Sequence, residues 1–252
     1  MNRVVMSLDE PVRLNRFVRS CTRFWLLLQR PFLLRRVRRH VVETVDGVPL
    51  LVLPDVFNPV VFRSGTFLAR TLAASARVAK PWSSSGPRAL DMGTGSGVGA
   101  IFAARQGYRV VGVDVNPEAV RCARINVLLN RLEGQVEIRQ GDLFAPVPGE
   151  RFDLVLFNPP FFRGEPTDLL DHAWRSNDVM ERFAAGLSAA LVPQGRALIV
   201  LSTDGDAAGM LGALREHALT IETARQRNFG NEVMTIYEVR LPQPGRSGMR
   251  TA

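Results

Sequence analysis

The sequence predicts an α/β fold: a mostly parallel sheet of seven strands with helices on both faces. Three observations predict it. From residue 88 onward, short apolar runs alternate with helical patterns. A glycine-rich turn, Gly93 to Gly99, separates the first of those runs from the helix that follows. An aspartate, Asp114, closes the next run. Strands separated by helices imply right-handed crossovers, and therefore parallel neighbours.

The elements follow in order. From Val12 to Leu28, apolar residues at 14, 17, 18, 21, 24, 25 and 28 keep helical spacing, and Pro31 ends the pattern. Arginines 13, 16, 19 and 23 lie mostly off that stripe, so the helix is amphipathic. Val41 to Leu53, with Asp46-Gly47 in the middle, reads as a β-hairpin closed by a tight turn. Residues 66–79 suit a helix, and Pro81 to Pro87 a loop. Strands are expected at 88–92, 109–114, 135–139, 152–157 and 196–202, and helices at 97–106, 117–129, 177–191 and 206–217. Thr220 to Leu241 reads as two further strands. The expected organisation is a basic arm (1–40), a body (41–241) and a loose tail (242–252). Within the body, the hairpin and first helix occupy 41–80 and the core 88–241.

Composition excludes several classes. A chain of 252 residues with 46% apolar content buries a sizeable core without disulfide or metal staples. Cys21 and Cys122 are far apart, which excludes a disulfide framework and a cysteine-based zinc site. His40, His172 and His217 show no metal-ligand spacing. The apolar run Phe24 to Leu28 is too short for a membrane span or a secretory segment, so the expected location is cytoplasmic.

The formal charge of +8 is local. Residues 1–40 hold ten arginines against two acids, while the rest of the chain is balanced, 22 basic against 22 acidic. Such an arm packs its apolar stripe on the body, or binds nucleic acid or another acidic partner, or lies on a membrane surface.

The glycine turn reads Asp91-Met-Gly93-Thr-Gly95-Ser-Gly97-Val-Gly99-Ala100. Glycines permit a tight strand-to-helix turn and let a ligand approach bare backbone. Asp114, at the end of the next strand, suits the two hydroxyls of a ribose. Together they indicate a Rossmann-like adenosine site, with the cofactor still open between a dinucleotide and S-adenosylmethionine. Asp91 favours the latter. A carboxylate beside the loop repels a pyrophosphate but attracts an ammonium group. Asp142, after the third strand, is placed to accept from an exocyclic adenine amine.

The fourth strand, Phe152 to Phe157, runs into Asn158-Pro159-Pro160-Phe161. Two prolines remove two N–H donors and stiffen the backbone. What remains is a lip of acceptors, the Asn158 side-chain oxygen and the Pro159 carbonyl, with Phe161 as a flat wall. It suits a planar substrate bearing an –NH₂ group.

Asp91-x-Gly93-x-Gly95-x-Gly97, Asp114, Asp142 and Asn158-Pro-Pro-Phe161, in this order and spacing, resemble class I S-adenosylmethionine-dependent methyltransferases. The Asn-Pro-Pro-aromatic branch of that class modifies protein glutamine and nucleic-acid bases. Asp55-Val-Phe-Asn-Pro59, Ala173-Trp174 and Asn231 to Tyr237 make the chain most similar to HemK-related members. The arm stands where bacterial release-factor methyltransferases carry a five-helix domain. The resemblance implies that Gly93, Gly95 and Gly97 form the loop under the methionine part of the cofactor. Asp91 lies near its amino end, Asp114 holds the ribose and Asp142 the adenine. Asn158 and Pro159 orient the acceptor nitrogen, with Phe161 on its plane. No histidine or cysteine base and no metal is then needed. The competing readings are a small-molecule methyltransferase, an NAD(P)-dependent oxidoreductase, which leaves Asn158 to Phe161 idle, and a non-catalytic RNA- or membrane-binding relative.

Overall fold

A computed structural model describes residues 39–75, 86–165 and 173–242. The arm helix, the loop before residue 86, the end of the 66–79 helix and most of the tail lie outside the described residues.

The chain opens with the predicted hairpin, β1 (Val41–Val45) and β2 (Val48–Val52). Asp46 and Gly47 both take positive φ, 48° and 80°, as a two-residue turn between twisted strands requires. Helix α1 spans Ser64–Ala74. Then come β3 (Arg88–Met92), α2 (Val98–Arg105), β4 (Arg109–Asp114), α3 (Pro117–Leu129), β5 (Val136–Gln140) and β6 (Phe152–Phe157). The remainder is α4 (Val179–Ala190), β7 (Leu191–Ser202), α5 (Ala207–Glu216), β8 (Thr220–Asn228) and β9 (Val233–Arg240). Helix α3 starts where its sequence says it should. The Asn116 side chain accepts from the Glu118 N–H at 2.9 Å, and Pro117 holds the first helical position.

The sheet has seven strands in the order β5-β4-β3-β6-β7-β9-β8. The first five pair in parallel, and β9 runs antiparallel to both of its neighbours. Strands β3, β4 and β6 are apolar on both faces because both faces are covered. Ala89, Val110, Leu154 and Leu156 pack toward α1, α2 and α3. Leu90, Val111, Val155 and Phe157 pack toward α4 and α5. The strand order reverses between β3 and β6, so their carboxyl ends open a crevice.

Strand β7 begins earlier than the expected 196. Leu191 already pairs with Phe152, and the register then jumps to Leu154 with Arg196. The residues in between include Pro193 and Gly195, which read locally as a break. A Cβ on Gly195 would lie 2.8 Å from the Phe152 carbonyl oxygen, so the backbone passes there only because that position is glycine.

The hairpin is fastened to the body by side-chain amides. Asn126 of α3, fully buried, accepts from the Leu51 N–H and donates to the Leu51 carbonyl, both at 2.7 Å. It thus replaces a strand partner for β2. It also donates to the Ser96 carbonyl in the glycine turn at 2.9 Å. Asn130 donates to the Pro49 carbonyl at 3.0 Å. Buried Cys122 donates to the Leu51 carbonyl at 3.2 Å, and burial pushes its thiol up to about 11, so it remains protonated. Asn126→Ala leaves the Leu51 N–H without its partner in a buried setting. Chemical denaturation is expected to show a loss of about 3 kcal/mol.

Candidate functional site

A cavity of about 460 Å³ opens at the carboxyl ends of β3, β4 and β6. Its floor is the glycine turn. Gly93, Gly95 and Gly97 have φ of 62°, 55° and 82°, which side-chain-bearing residues rarely adopt. A Cβ on Gly93 would meet nothing within 4 Å, so its bare backbone faces open space. A Cβ on Gly97 would instead come 3.2 Å from Ala123 of α3, so this glycine serves helix packing.

Asp91 is buried at the head of this turn, only 5% exposed. Its Oδ2 accepts from Thr94 Oγ1 at 2.6 Å and from the Ala100 N–H at 2.8 Å, so a strand carboxylate caps helix α2. A Cβ on Gly99 would lie 2.4 Å from Asp91 Oδ1, which explains the fourth glycine. Burial raises the carboxyl from 3.8 to about 7. The two hydrogen bonds oppose that rise, and the nearby Asp114 charge adds to it. A cation entering the cavity would draw it back down.

Asp114 binds the turn from the other side. Its Oδ2 accepts from the Gly95 N–H at 2.8 Å and its Oδ1 from the Asn116 N–H at 3.0 Å. The Thr94 N–H donates to the Val113 carbonyl at 2.9 Å, so the turn is fixed to the end of β4. Asp142 also borders the cavity, exposed, and is ion-paired with Arg182 of α4. That partner lies forty residues further along, and no local pattern announces it.

At the end of β6, Asn158 and Pro160 line the cavity. The Asn158 Oδ1 is buried and has no hydrogen-bond partner among the described residues. A buried acceptor without a donor costs about 1–3 kcal/mol, which a ligand N–H can relieve. Pro159 is buried and does not border the cavity.

Phe161 departs from the expectation of an exposed wall. It is 9% exposed and does not border the cavity. Its carbonyl accepts from the Asp206 N–H at 2.8 Å, and its Cβ packs where a side chain on Gly205 would stand, 2.7 Å away. The entry to α5 has therefore pulled Phe161 inward, and Phe162 alone is exposed at 38%.

The aromatic side of the cavity comes from two segments that the sequence marked only by resemblance. Phe57 lines it, and Phe57, Phe62 and Trp174 form a cluster with centroid distances of 4.4–5.1 Å. Residues 173–176 are held over the β6 end because the Phe162 N–H donates to the Trp174 carbonyl at 2.8 Å and the Ser176 N–H donates to the Phe162 carbonyl at 3.1 Å. Asn58, fully buried, shapes the first segment: its Oδ1 accepts from the Val60 and Val61 N–H groups, and its Nδ2 donates to Glu43. Asn126 is a support that the residue pattern did not single out, and Asn58 entered only within the Asp55-to-Pro59 cue, with no role of its own.

A doubly wound sheet whose switch point holds a glycine floor, two strand-end carboxylates and an Asn-Pro-Pro lip defines a class I methyltransferase. The chain belongs to the methyltransferase small domain family, whose model matches residues 50–229. It is 33% identical over 155 residues to ribosomal RNA small subunit methyltransferase C of Alcanivorax borkumensis, covering 62% of this chain and 42% of that protein. It is 30% identical over 132 residues to a putative protein N5-glutamine methyltransferase of Methanocaldococcus jannaschii, covering 52% of this chain and 60% of that protein. The chain thus spans about half the length of the curated relatives it matches. Among solved structures, the Thermus thermophilus 16S rRNA N2 G1207 methyltransferase, in complex with AdoMet and guanosine, superposes with a TM-score of 0.59 at 22% identity. That match covers 81% of this chain and 50% of that one, and shows a shared fold.

The residues present fit S-adenosylmethionine. Open space above Gly93, a buried carboxylate raised to about 7 and a second carboxylate ending β4 suit its methionine, ammonium and ribose parts, and the orphaned acceptor at the rim is left for an N–H of another molecule. Among the described residues, no helix is long and apolar enough to cross a membrane.

Proposed function

We propose that the protein transfers a methyl group from S-adenosylmethionine to a planar amide or exocyclic amine nitrogen. The unpartnered Asn158 Oδ1 carries this reading. Bound S-adenosylmethionine supplies a sulfonium methyl group. In the proposed arrangement Asp91 pairs with the cofactor's ammonium, Asp114 accepts from its ribose, and Asp142 stands near the adenine with Arg182 holding its other side. Gly93 keeps the floor open. Asn158 Oδ1 accepts an N–H of the substrate and turns the nitrogen lone pair toward the methyl carbon, whereas Pro159, which does not border the cavity, stiffens the backbone that holds it. Such alignment supplies several kcal/mol, because the lone pair of an amide or aryl amine is otherwise delocalised. The fixed Asn158 oxygen would stabilise the positive charge that builds on the nitrogen as it takes the methyl group, the methyl C–S bond breaking so that its electron pair leaves with the sulfur as the neutral thioether S-adenosylhomocysteine. The proton then leaves to water.

Phe57, not Phe161, supplies the flat wall in this proposal, because Phe57 borders the cavity. Relatives named for ribosomal RNA, transfer RNA adenine N6 and protein glutamine support a nitrogen acceptor on a macromolecule. The basic segment 1–40 adds attraction for an anionic partner.

Thermal-shift titration tests the cofactor: S-adenosylmethionine raises Tm and NAD(P) does not. Equal shifts, or a shift with NAD(P) alone, would return the site to an oxidoreductase. Labelled cofactor with host lysate, treated with nuclease or protease, then identifies the acceptor class by which treatment removes the label.

A further inference from the structure

Strand β8 is the last strand of the sheet, and nearly all of its residues are exposed. Its register against β9 slips between Thr223 and Arg225. Before the slip, Ile221 and Thr223 stand opposite Val239 and Tyr237, on the α4–α5 side. After it, Arg225 and Arg227 stand opposite Ile236 and Met234, on the α1 side. A bulge thus turns two arginines to the face that α1 covers.

There they meet aromatic rings. Arg225 lies over Phe67 at 5.8 Å, and Arg227 over Phe229 at 4.9 Å. Arg63, at the start of α1, lies over the same Phe229 ring at 4.8 Å. Among the described residues, Arg225 and Arg227 have no carboxylate partner, unlike Arg163, Arg182 and Arg196. Helix α1 joins this strip to the cavity. Its Gly65 and Leu68 line the cavity, and Phe62, one residue before Arg63, packs tilted on Phe57, which borders the cavity, and edge-on to Trp174.

We infer that the strip from Phe62 through Arg63 and Phe229 to Arg227 and Arg225 is the track for a single-stranded RNA segment that delivers its target base to the cavity. The inference rests on the methyl-transfer reading and names the acceptor's carrier. Arg225 and Arg227, held on rings and without a carboxylate partner among the described residues, suit phosphates, while Arg63, 3.8 Å from Glu232, orders the ring between them and the mouth. Aromatic faces at the mouth suit an unstacked base. The strand is single because a base inside a duplex cannot enter a crevice at a sheet edge. It is RNA because RNA presents unpaired base edges in its loops.

The test uses the full chain and a fluorescent single-stranded RNA oligomer, with DNA of the same sequence alongside. Arg225→Gln with Arg227→Gln is expected to weaken RNA binding about tenfold and to flatten the salt dependence of log K by about 1.4, the share of two phosphates. Arg225→Lys with Arg227→Lys is expected to keep the wild-type salt slope. Binding or slope unchanged by the glutamines overturns the inference, as does equal loss in the lysine pair. Tighter binding to DNA, with the same dependence on the arginines, assigns the track to DNA and overturns it too. Thermal shift with S-adenosylmethionine on the same samples keeps the two readings apart. No shift in the wild type defeats methyl transfer and leaves the RNA result standing, while a shift without RNA dependence defeats only the track.

Discussion

Asn158→Ala is expected to lower methyl transfer about 100-fold or more while leaving cofactor affinity within about twofold. The asymmetry follows from position. In the proposed arrangement the glycine turn, Asp91 and Asp114 hold the cofactor from β3 and β4, whereas Asn158 faces the same cavity from the end of β6. Its Oδ1 has no partner among the described residues, so removing it breaks no hydrogen bond and leaves Tm unchanged or slightly raised. Single-turnover transfer of labelled methyl, paired with calorimetric titration of S-adenosylmethionine, separates the two parameters. Wild-type transfer in the alanine variant would sink the assignment.

The second large effect concerns Asp91. Its folded carboxyl is raised from 3.8 to about 7 by burial. The raised value sets the sign: between about pH 4 and pH 7 the folded protein holds a proton that the unfolded chain releases, so stability falls as pH rises through this window and levels off above it. Holding the carboxylate ionised in the folded protein costs about 4 kcal/mol. An arriving ammonium relieves that cost, so cofactor affinity rises with pH up to about 7 and is flat beyond it. Asp91→Asn is expected to raise Tm relative to wild type above pH 7, because it removes the buried charge. It is also expected to weaken S-adenosylmethionine binding about 10- to 100-fold and to abolish the rise of affinity with pH. Titrations of both proteins across the window check this. An asparagine variant that keeps the wild-type pH profile would show that the ammonium pairs elsewhere.

What the residue pattern revealed, and what it hid, divides by range. Buried strands such as Phe152–Phe157 declare themselves because each is apolar on both faces, and the carboxylates, glycines and Asn158 at the ends of β3, β4 and β6 fall at the sheet's ligand-binding edge by topology alone. The features that escaped depend on contacts far along the chain. Phe161 looked exposed because nothing local shows that Gly205 and the Asp206 N–H would draw it in across more than forty residues. The pairing of Asp142 with Arg182 spans forty residues, and that of Asn126 with Leu51 seventy-five. The early start of β7 was masked by Pro193 and Gly195, which read as a break although Leu191 pairs before them. The slip in β8 carries no signature in Thr-Ala-Arg, since only the partner strand defines it.

The Asn126 amide has one further consequence. It grips β2 with one hand and the Ser96 carbonyl of the cavity floor with the other. A shortened gene product cut just ahead of β3, where the parallel sheet begins, would keep Asp91, Asp114 and Asn158 yet lose Phe57 and release the floor's outer anchor. On the proposed function, a minimal active fragment must therefore retain the leading ribbon, and exchanging that ribbon between relatives would retune the firmness of the floor without altering a residue that lines the cavity.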